Sequence, residues 1–224
     1  MRPIRGIILD VDGTLVDSND AHVRAWMEAF EEQGRTVSEE RVRSLIGMGG
    51  DNLLPAAVGV EKESEAGAQL SEARASRFKE HYLPELQPFA AVRQLLERMR
   101  ESGLKLVVAS SGEADEVETL LELAGVRDLV EATTSSKDAE RSKPEPDVVE
   151  AALERLGYPP HEVVMLGDSP YDIEAADKVG IQVIALRCGG FADDDLLGAL
   201  AIYDDPADLL AHYDDSPLAQ VAVG

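Results

Sequence analysis

Cysteine occurs once in the 224 residues, at Cys188. One thiol cannot build an intramolecular disulfide framework, so the core must hold the chain together, and this usage fits a reducing cytoplasm. Cys188 stands beside Gly189 and Gly190 with no histidine nearby in sequence, and reads as a small, partly buried hydrophobe rather than a nucleophile. No apolar run reaches the ~18 residues of a membrane span and no basic-then-apolar leader follows Met1, so neither membrane insertion nor export is expected.

Positive charge is scarce as well: 21 Lys and Arg stand against 44 Asp and Glu. The net charge of −23 argues against nucleic-acid binding, which depends on cationic contacts to phosphates. The same field repels small anions, so a site for one would need a metal or a buried lysine to reverse the sign locally. The acidity otherwise reads as solvated surface, with Asp193-Asp194-Asp195 placed at a helix N-terminus, where negative charge is favourable. The length suffices for one large domain, or for a core with a smaller insertion.

What is present begins at residue 7. The run Ile7-Ile8-Leu9 predicts a buried strand that ends in two carboxylates, Asp10 and Asp12, one residue apart. Charged side chains are almost never buried unpaired, so a pair at a strand end is expected to face a ligand. Alternation along the chain puts both on one side, where they repel unless a cation, a proton or an electrophile lies between them. Gly13 then lets the backbone turn away. A calcium loop starting at Asp10 is excluded, because its fifth, sixth and twelfth positions are Thr14, Leu15 and Ala21 rather than an oxygen ligand pattern closed by Gly and Glu.

Further β-branched, apolar runs at 4–9, 104–109, 162–166 and 181–186 alternate with helical periodicity at 91–99, 116–124, 148–156 and 173–179. Strands without polar alternation imply a parallel sheet covered on both faces, so the fold class is α/β: a doubly wound parallel sheet with a Rossmann-like core. Residues 18–86 break the pattern with helix after helix. That is too much for one crossover connection, and predicts an inserted all-helical cap domain. The expected division is a core of 1–17 and 87–224 and a cap of 18–86, hinged near 15–18 and 84–88. The tail, 216–224, is expected to fray.

In an open parallel sheet, ligands bind outside the strands' carboxyl ends. After the run ending at Ala109 come Ser110, Ser111 and Gly112, an anion-binding arrangement of hydroxyls and N–H groups before a helix. After the run ending at Leu166 come Gly167-Asp168-Ser169-Pro170-Tyr171-Asp172, and Lys143 sits on a proline-stiffened turn before the preceding helix. Each has a plain local reading, as cap or solvated turn residue; their joint occurrence at the ends of one sheet's strands favours a site.

These four motifs, in this order and with a helical insertion after the first, resemble the haloacid dehalogenase-like superfamily over nearly the whole chain, to about residue 190. The resemblance implies a phosphoric monoester hydrolase acting on a small phosphorylated metabolite, such as a sugar phosphate or phosphoglycolate. It implies Asp10 as nucleophile, forming an aspartyl-phosphate, and Asp12 as the acid and base for the leaving oxygen and the attacking water. It implies Mg²⁺ held by Asp10, the backbone carbonyl of Asp12 and Asp168, with Asp172 one layer further out. Ser110, Ser111 and Lys143 would hold the phosphoryl oxygens, with His22 and Gly49 of the cap also at the substrate.

Within the superfamily, Asp12 argues against dehalogenases, which lack it, and the absence of a cap lysine before Lys62 argues against Schiff-base hydrolases. A β-phosphoglucomutase-like mutase is the main alternative, since His22 resembles that group's early cap helix. Ile46 and Gly50 stand where the mutases carry cations for a distal phosphate, which favours hydrolysis. A catalytically silent binding module is the remaining alternative. A monomer or homodimer is expected, with no nucleic acid and no membrane as partner.

Overall fold

The apolar runs become strands of one parallel sheet: β1 (Gly6–Leu9), β2 (Lys105–Ala109), β4 (Val163–Gly167) and β5 (Gln182–Leu186). The computed structural model, which describes residues 3–219, adds two short strands, β3 (Ala132–Thr134) and β6 (Ala201–Tyr203). Both hold only three residues at the sheet's edges, too few for a pattern of their own, so neighbouring strands define them. The order is β3-β2-β1-β4-β5-β6. From β1 the chain builds outward through β2 and β3, then returns to place β4 on β1's other side. The reversal opens a crevice at the carboxyl ends of β1 and β4.

Every residue of β1 is buried, and alternation divides them. Ile7 and Leu9 join a core shared with α5 (Val92–Glu101), α6 (Ala114–Leu123) and α9 (Pro206–Ala211). Ile8 faces the opposite layer, packed with residues of α7 (Asp147–Leu156) and α8 (Pro170–Lys178). Two covered faces explain why no polar alternation marks these strands.

Between β1 and β2 lie α1 (Asn19–Glu32), α2 (Glu39–Arg43), α3 (Gly50–Val58) and α4 (Glu65–Arg77), with a wider helical turn over Phe78–Tyr82. They enclose a separate apolar cluster that includes Trp26, Phe30, Leu53, Leu54 and Leu70. Burying each such side chain contributes about 1.5–3 kcal/mol. The two passages joining this insert to the sheet run side by side. Asp17 N donates to Gln87 O (3.0 Å), Phe89 N donates to Leu15 O (3.1 Å), and Val16 bridges Pro88.

Two expectations need correction. Asp193–Asp195 form turns rather than a helix start; Arg187 binds Asp193 (2.6 Å) and Asp195 accepts from Ala192 N (3.2 Å), so local pairing absorbs the charge. The tail does not fray from residue 216, because Ser216 and Leu218 are buried against the core; the remainder of that expectation, 220–224, lies outside the described residues. Among the described residues no helix is long and apolar enough to cross a membrane.

Candidate active site

Because β1 and β4 are neighbours, the carboxylates that follow them meet. Asp10, Asp168 and Asp172 are buried and present oxygens within 4.8 Å of one another. One cation answers them. Lys143, 1% exposed, places Nζ 2.5 Å from Asp10 Oδ1 and 2.7 Å from Asp172 Oδ1. Burial pushes Asp10 up to about 7, against the pull of Lys143 and with the repulsion of Asp172 and Asp12. Burial, then Asp10 and Asp172, hold Asp168 well above the usual carboxylate range. Lys143 is held charged by Asp10 and Asp172 against its own desolvation.

Each carboxylate is positioned by its local sequence. Asp172 stands three residues after Ser169 at the start of α8, and the two form a reciprocal cap: Ser169 N and Oγ donate to Asp172 Oδ2 (3.1 and 2.7 Å). One oxygen of Asp172 therefore caps the helix while the other holds Lys143. Asp168 accepts from Thr14 Oγ1 (3.2 Å) and Asn19 Nδ2 (2.9 Å). Gly13 (φ 74°) and Gly189 close this pocket, and a Cβ at either position would run into the Asp168 carboxylate.

The donor set fits a divalent cation. Three hard carboxylates converge while Lys143 pairs with two of them, and the mutual repulsion that adds to burial at Asp10 and Asp168 is what a cation would relieve.

Asp12 lies on the same cleft but in a different network. Ser18, of a type that ordinarily caps a helix, makes no cap bond to α1 and donates instead to Asp12 Oδ1 (2.5 Å). His22 Nε2 lies 2.7 Å from the same oxygen. The other ring nitrogen, Nδ1, lies 2.5 Å from Arg74 Nη2. A guanidinium only donates, so Nδ1 accepts, and Nε2 carries the proton given to Asp12. Burial would raise Asp12, but the His22 and Ser18 contacts and the Arg74 charge outweigh it and hold the carboxyl at about 2.

The cleft above Asp10 and Asp12 has a volume of about 310 Å³. Ser110 and Ser111 line it, as do His22 and Gly49 from the insert. Ser110 Oγ accepts from Gly112 N (3.0 Å), and Ser111 Oγ accepts from Lys143 N (3.3 Å), so the β2 loop braces the lysine loop. Gly49 packs against Ser142, the residue before Lys143. The insert grips that loop further: Asp51 accepts from Ser142 N (3.0 Å), and Asn52 Nδ2 donates to Ser142 O (3.0 Å) and Lys143 O (3.2 Å).

Asp10, Asp12, Ser110, Ser111, His22 and Gly49 thus line one cleft, and Lys143, Asp168 and Asp172 lie buried next to Asp10. Sequence reading missed Ser18, Asn19, Asp51, Asn52, Arg74 and Glu116. Ser18-Asn19 carried a signal, two cap-type residues before an amphipathic helix. Arg74 carried none. Ile46 and Gly50 line the cleft without a cation, while Lys62 and Arg74, which the comparison with the mutases did not consider, line it from elsewhere in the insert.

The model of the haloacid dehalogenase-like hydrolases matches residues 7–186. The chain belongs to that family. It is 30% identical over 214 residues to a phosphoglycolate phosphatase of Rhodospirillum rubrum, covering 92% of this chain and 89% of that protein. An N-acetylmuramic acid 6-phosphate phosphatase of Pseudomonas aeruginosa is 26% identical over 211 residues, covering 92% and 93%. A hydrolase of Pseudomonas syringae superposes with a TM-score of 0.87 at 30% identity, covering 94% and 98%.

Proposed function

We propose that this haloacid dehalogenase-like hydrolase is a Mg²⁺-dependent phosphatase of small phosphomonoesters, working through an aspartyl-phosphate on Asp10. The observation that carries the reading is the buried constellation of Asp10, Asp168, Asp172 and Lys143 beneath a cleft that Asp12 also lines. Magnesium suits this hard-oxygen donor set of Asp10 and Asp168; when bound it neutralises phosphoryl oxygens and fixes their orientation. Asp172, which anchors Lys143, would support the bound ion without being among its direct ligands.

Asp10, with one oxygen held by Lys143, attacks phosphorus in line, and the ester oxygen leaves. Lys143 and the Ser110–Ser111 loop stabilise charge on the transferring group. Asp12 gives its proton to the leaving oxygen and then takes one from the water that hydrolyses the acyl-phosphate. In the resting site Asp12 is ionised, the form that serves the second step. For the first, the anionic phosphoryl group of a bound ester raises its proton affinity, and Asp12 takes up a proton from solvent before handing it to the leaving oxygen. We assign the helical insert, residues 18–86, as a cap over the core of 1–17 and 87–224.

A mutase needs free cations for a second phosphate. Lys62 and Arg74 are instead drawn to Glu113 (3.7 Å) and Glu116 (3.0 Å), which favours hydrolysis. The test is release of inorganic phosphate from p-nitrophenyl phosphate with Mg²⁺ and with EDTA, for wild type and Asp10→Asn. Activity that survives EDTA, or isomerisation of a bisphosphate-primed sugar phosphate faster than phosphate release, would overturn the assignment.

A further inference from the structure

The cleft has two ends of different chemistry. At the inner end are Asp10, Asp12 and Ser110. The outer end receives Trp26, Lys62, Ser71, Glu72 and Arg74 from the insert, facing Glu113 and Glu116 of the core. We propose that this outer end takes an uncharged, hydroxyl-rich alcohol, so that the preferred substrate is a sugar or polyol monophosphate rather than a phosphocarboxylate or a bisphosphate. The inference rests on the phosphatase reading and narrows it.

Charge excludes the anionic alternatives. Both cations of the outer end are matched by a glutamate from the opposite wall. Arg74 and Glu116 pair at 3.0 Å with side chains only 15% and 13% exposed, and Arg74 also donates to His22. Lys62 lies 3.7 Å from Glu113. Glu72 adds a further negative charge on the insert's side. A carboxylate on the leaving group would have to break the Arg74–Glu116 pair and strand Glu116 in a mostly buried place. Separating such a pair costs on the order of a hundredfold in affinity or more. The net charge of −23 works against the same ligands.

Polarity supplies the positive half. Ser71 Oγ and Arg74 Nε are buried without a hydrogen-bond partner, and both residues line the cavity. Unpaired buried polar atoms are costly, and a neutral hydroxyl pairs with Ser71 Oγ, once that short side chain turns toward the cavity, without disturbing an ion pair. Glu72 can accept from a further hydroxyl. Trp26 gives the cavity an apolar wall for the carbon face of such a group. A cavity of about 310 Å³ sits at the low end for small-molecule sites and suits a monosaccharide-sized group rather than a nucleotide or a peptide.

The experiment compares kcat/KM, in saturating Mg²⁺, for glucose 6-phosphate and myo-inositol 1-phosphate against 2-phosphoglycolate and fructose 1,6-bisphosphate, with p-nitrophenyl phosphate as reference. The expected result is a preference for at least one polyol phosphate over 2-phosphoglycolate of about a hundredfold. Ser71→Ala should lower kcat/KM for that polyol phosphate by roughly 2- to 10-fold, as loss of one neutral hydrogen bond does. Glu116→Gln, which leaves Arg74 with uncompensated charge, should raise the 2-phosphoglycolate to polyol-phosphate ratio by about tenfold or more. Hydrolysis of p-nitrophenyl phosphate with equal or greater preference for 2-phosphoglycolate or the bisphosphate would overturn this inference and leave the phosphatase reading standing. No hydrolysis of any phosphate ester would overturn that reading and this one with it.

Discussion

Replacing Lys143 by Met removes the ammonium that pairs with the buried Asp10 and Asp172 while keeping the length of the side chain. Lys143 is 1% exposed, so solvent does not substitute for it. Breaking a buried pair in this way costs about 3–5 kcal/mol, because the partner charges stay behind. For a chain of this size that corresponds to a fall in Tm of roughly 6–20 °C. The pH dependence separates this cause from simple loss of packing. Asp10, raised from 3.8 to about 7, binds its proton more tightly in the folded protein. Between those values the native state holds more protons than the unfolded chain, so stability falls as pH rises through the window. Removing Lys143 takes away a group that lowers Asp10, so in the variant the loss continues above pH 7. The gap between wild type and Lys143→Met, measured by thermal or urea unfolding in EDTA, should therefore be wider at pH 8 than at pH 5.5. Added Mg²⁺ should narrow it at pH 8. A gap equal at the two pH values, or a variant as stable as wild type at pH 8 in EDTA, would refute the electrostatic account.

Asp10→Asn should abolish turnover with the unfolding transition retained; activity within about tenfold of wild type, roughly 1.4 kcal/mol of barrier, would remove Asp10 as nucleophile. Mg²⁺ at about a hundred times its Kd should add about 2.7 kcal/mol of stability to wild type, read as a rise in Tm, and Asp168→Asn should lose both this gain and activity. Asp172→Asn should lower kcat more than Mg²⁺ affinity, since its oxygen serves Lys143; equal loss of both would place it among the direct ligands. Asn19→Ala frees Asp168 from one of its two donors and should weaken Mg²⁺ binding about 10- to 100-fold in a titration followed by Tm, and an unchanged midpoint would show that Asn19 does not orient the ligand. Asn52→Ala releases the carbonyls of Ser142 and Lys143 and should lower kcat by roughly 2- to 10-fold with KM for p-nitrophenyl phosphate within about twofold; a change confined to KM would mean that the insert does not position the lysine loop.

How much of this was written locally can be read residue by residue. The runs that became β1, β2, β4 and β5 announced a two-sided parallel sheet because a strand covered on both faces has no polar alternation. Asp10 and Asp12 were legible because carboxylates at the end of a buried strand are costly without a ligand. The excess of helix after β1 showed as a break in the alternation of strand and helix. The short edge strands β3 and β6 did not show, since three residues hold too little pattern and take their shape from the strand beside them.

The connections that convert those residues into a site came only with the tertiary structure. Asn19 reaches Asp168 across 149 positions, and Arg74 reaches His22 and Glu116 across 52 and 42. Asp51 and Asn52 hold the lysine loop from about 90 residues away, through an insert that folds back over the sheet. Hydrophobic period and turn chemistry are properties of neighbouring residues, so the chain displays them along its length. An ion pair or a hydrogen bond between distant elements has no period, and which glutamate neutralises which cation is set by where two independently packed layers come to rest against each other. Residue types at strand ends therefore fixed the chemistry available to this protein. The packing of the helical insert against the sheet decided which charges remain free to meet a ligand.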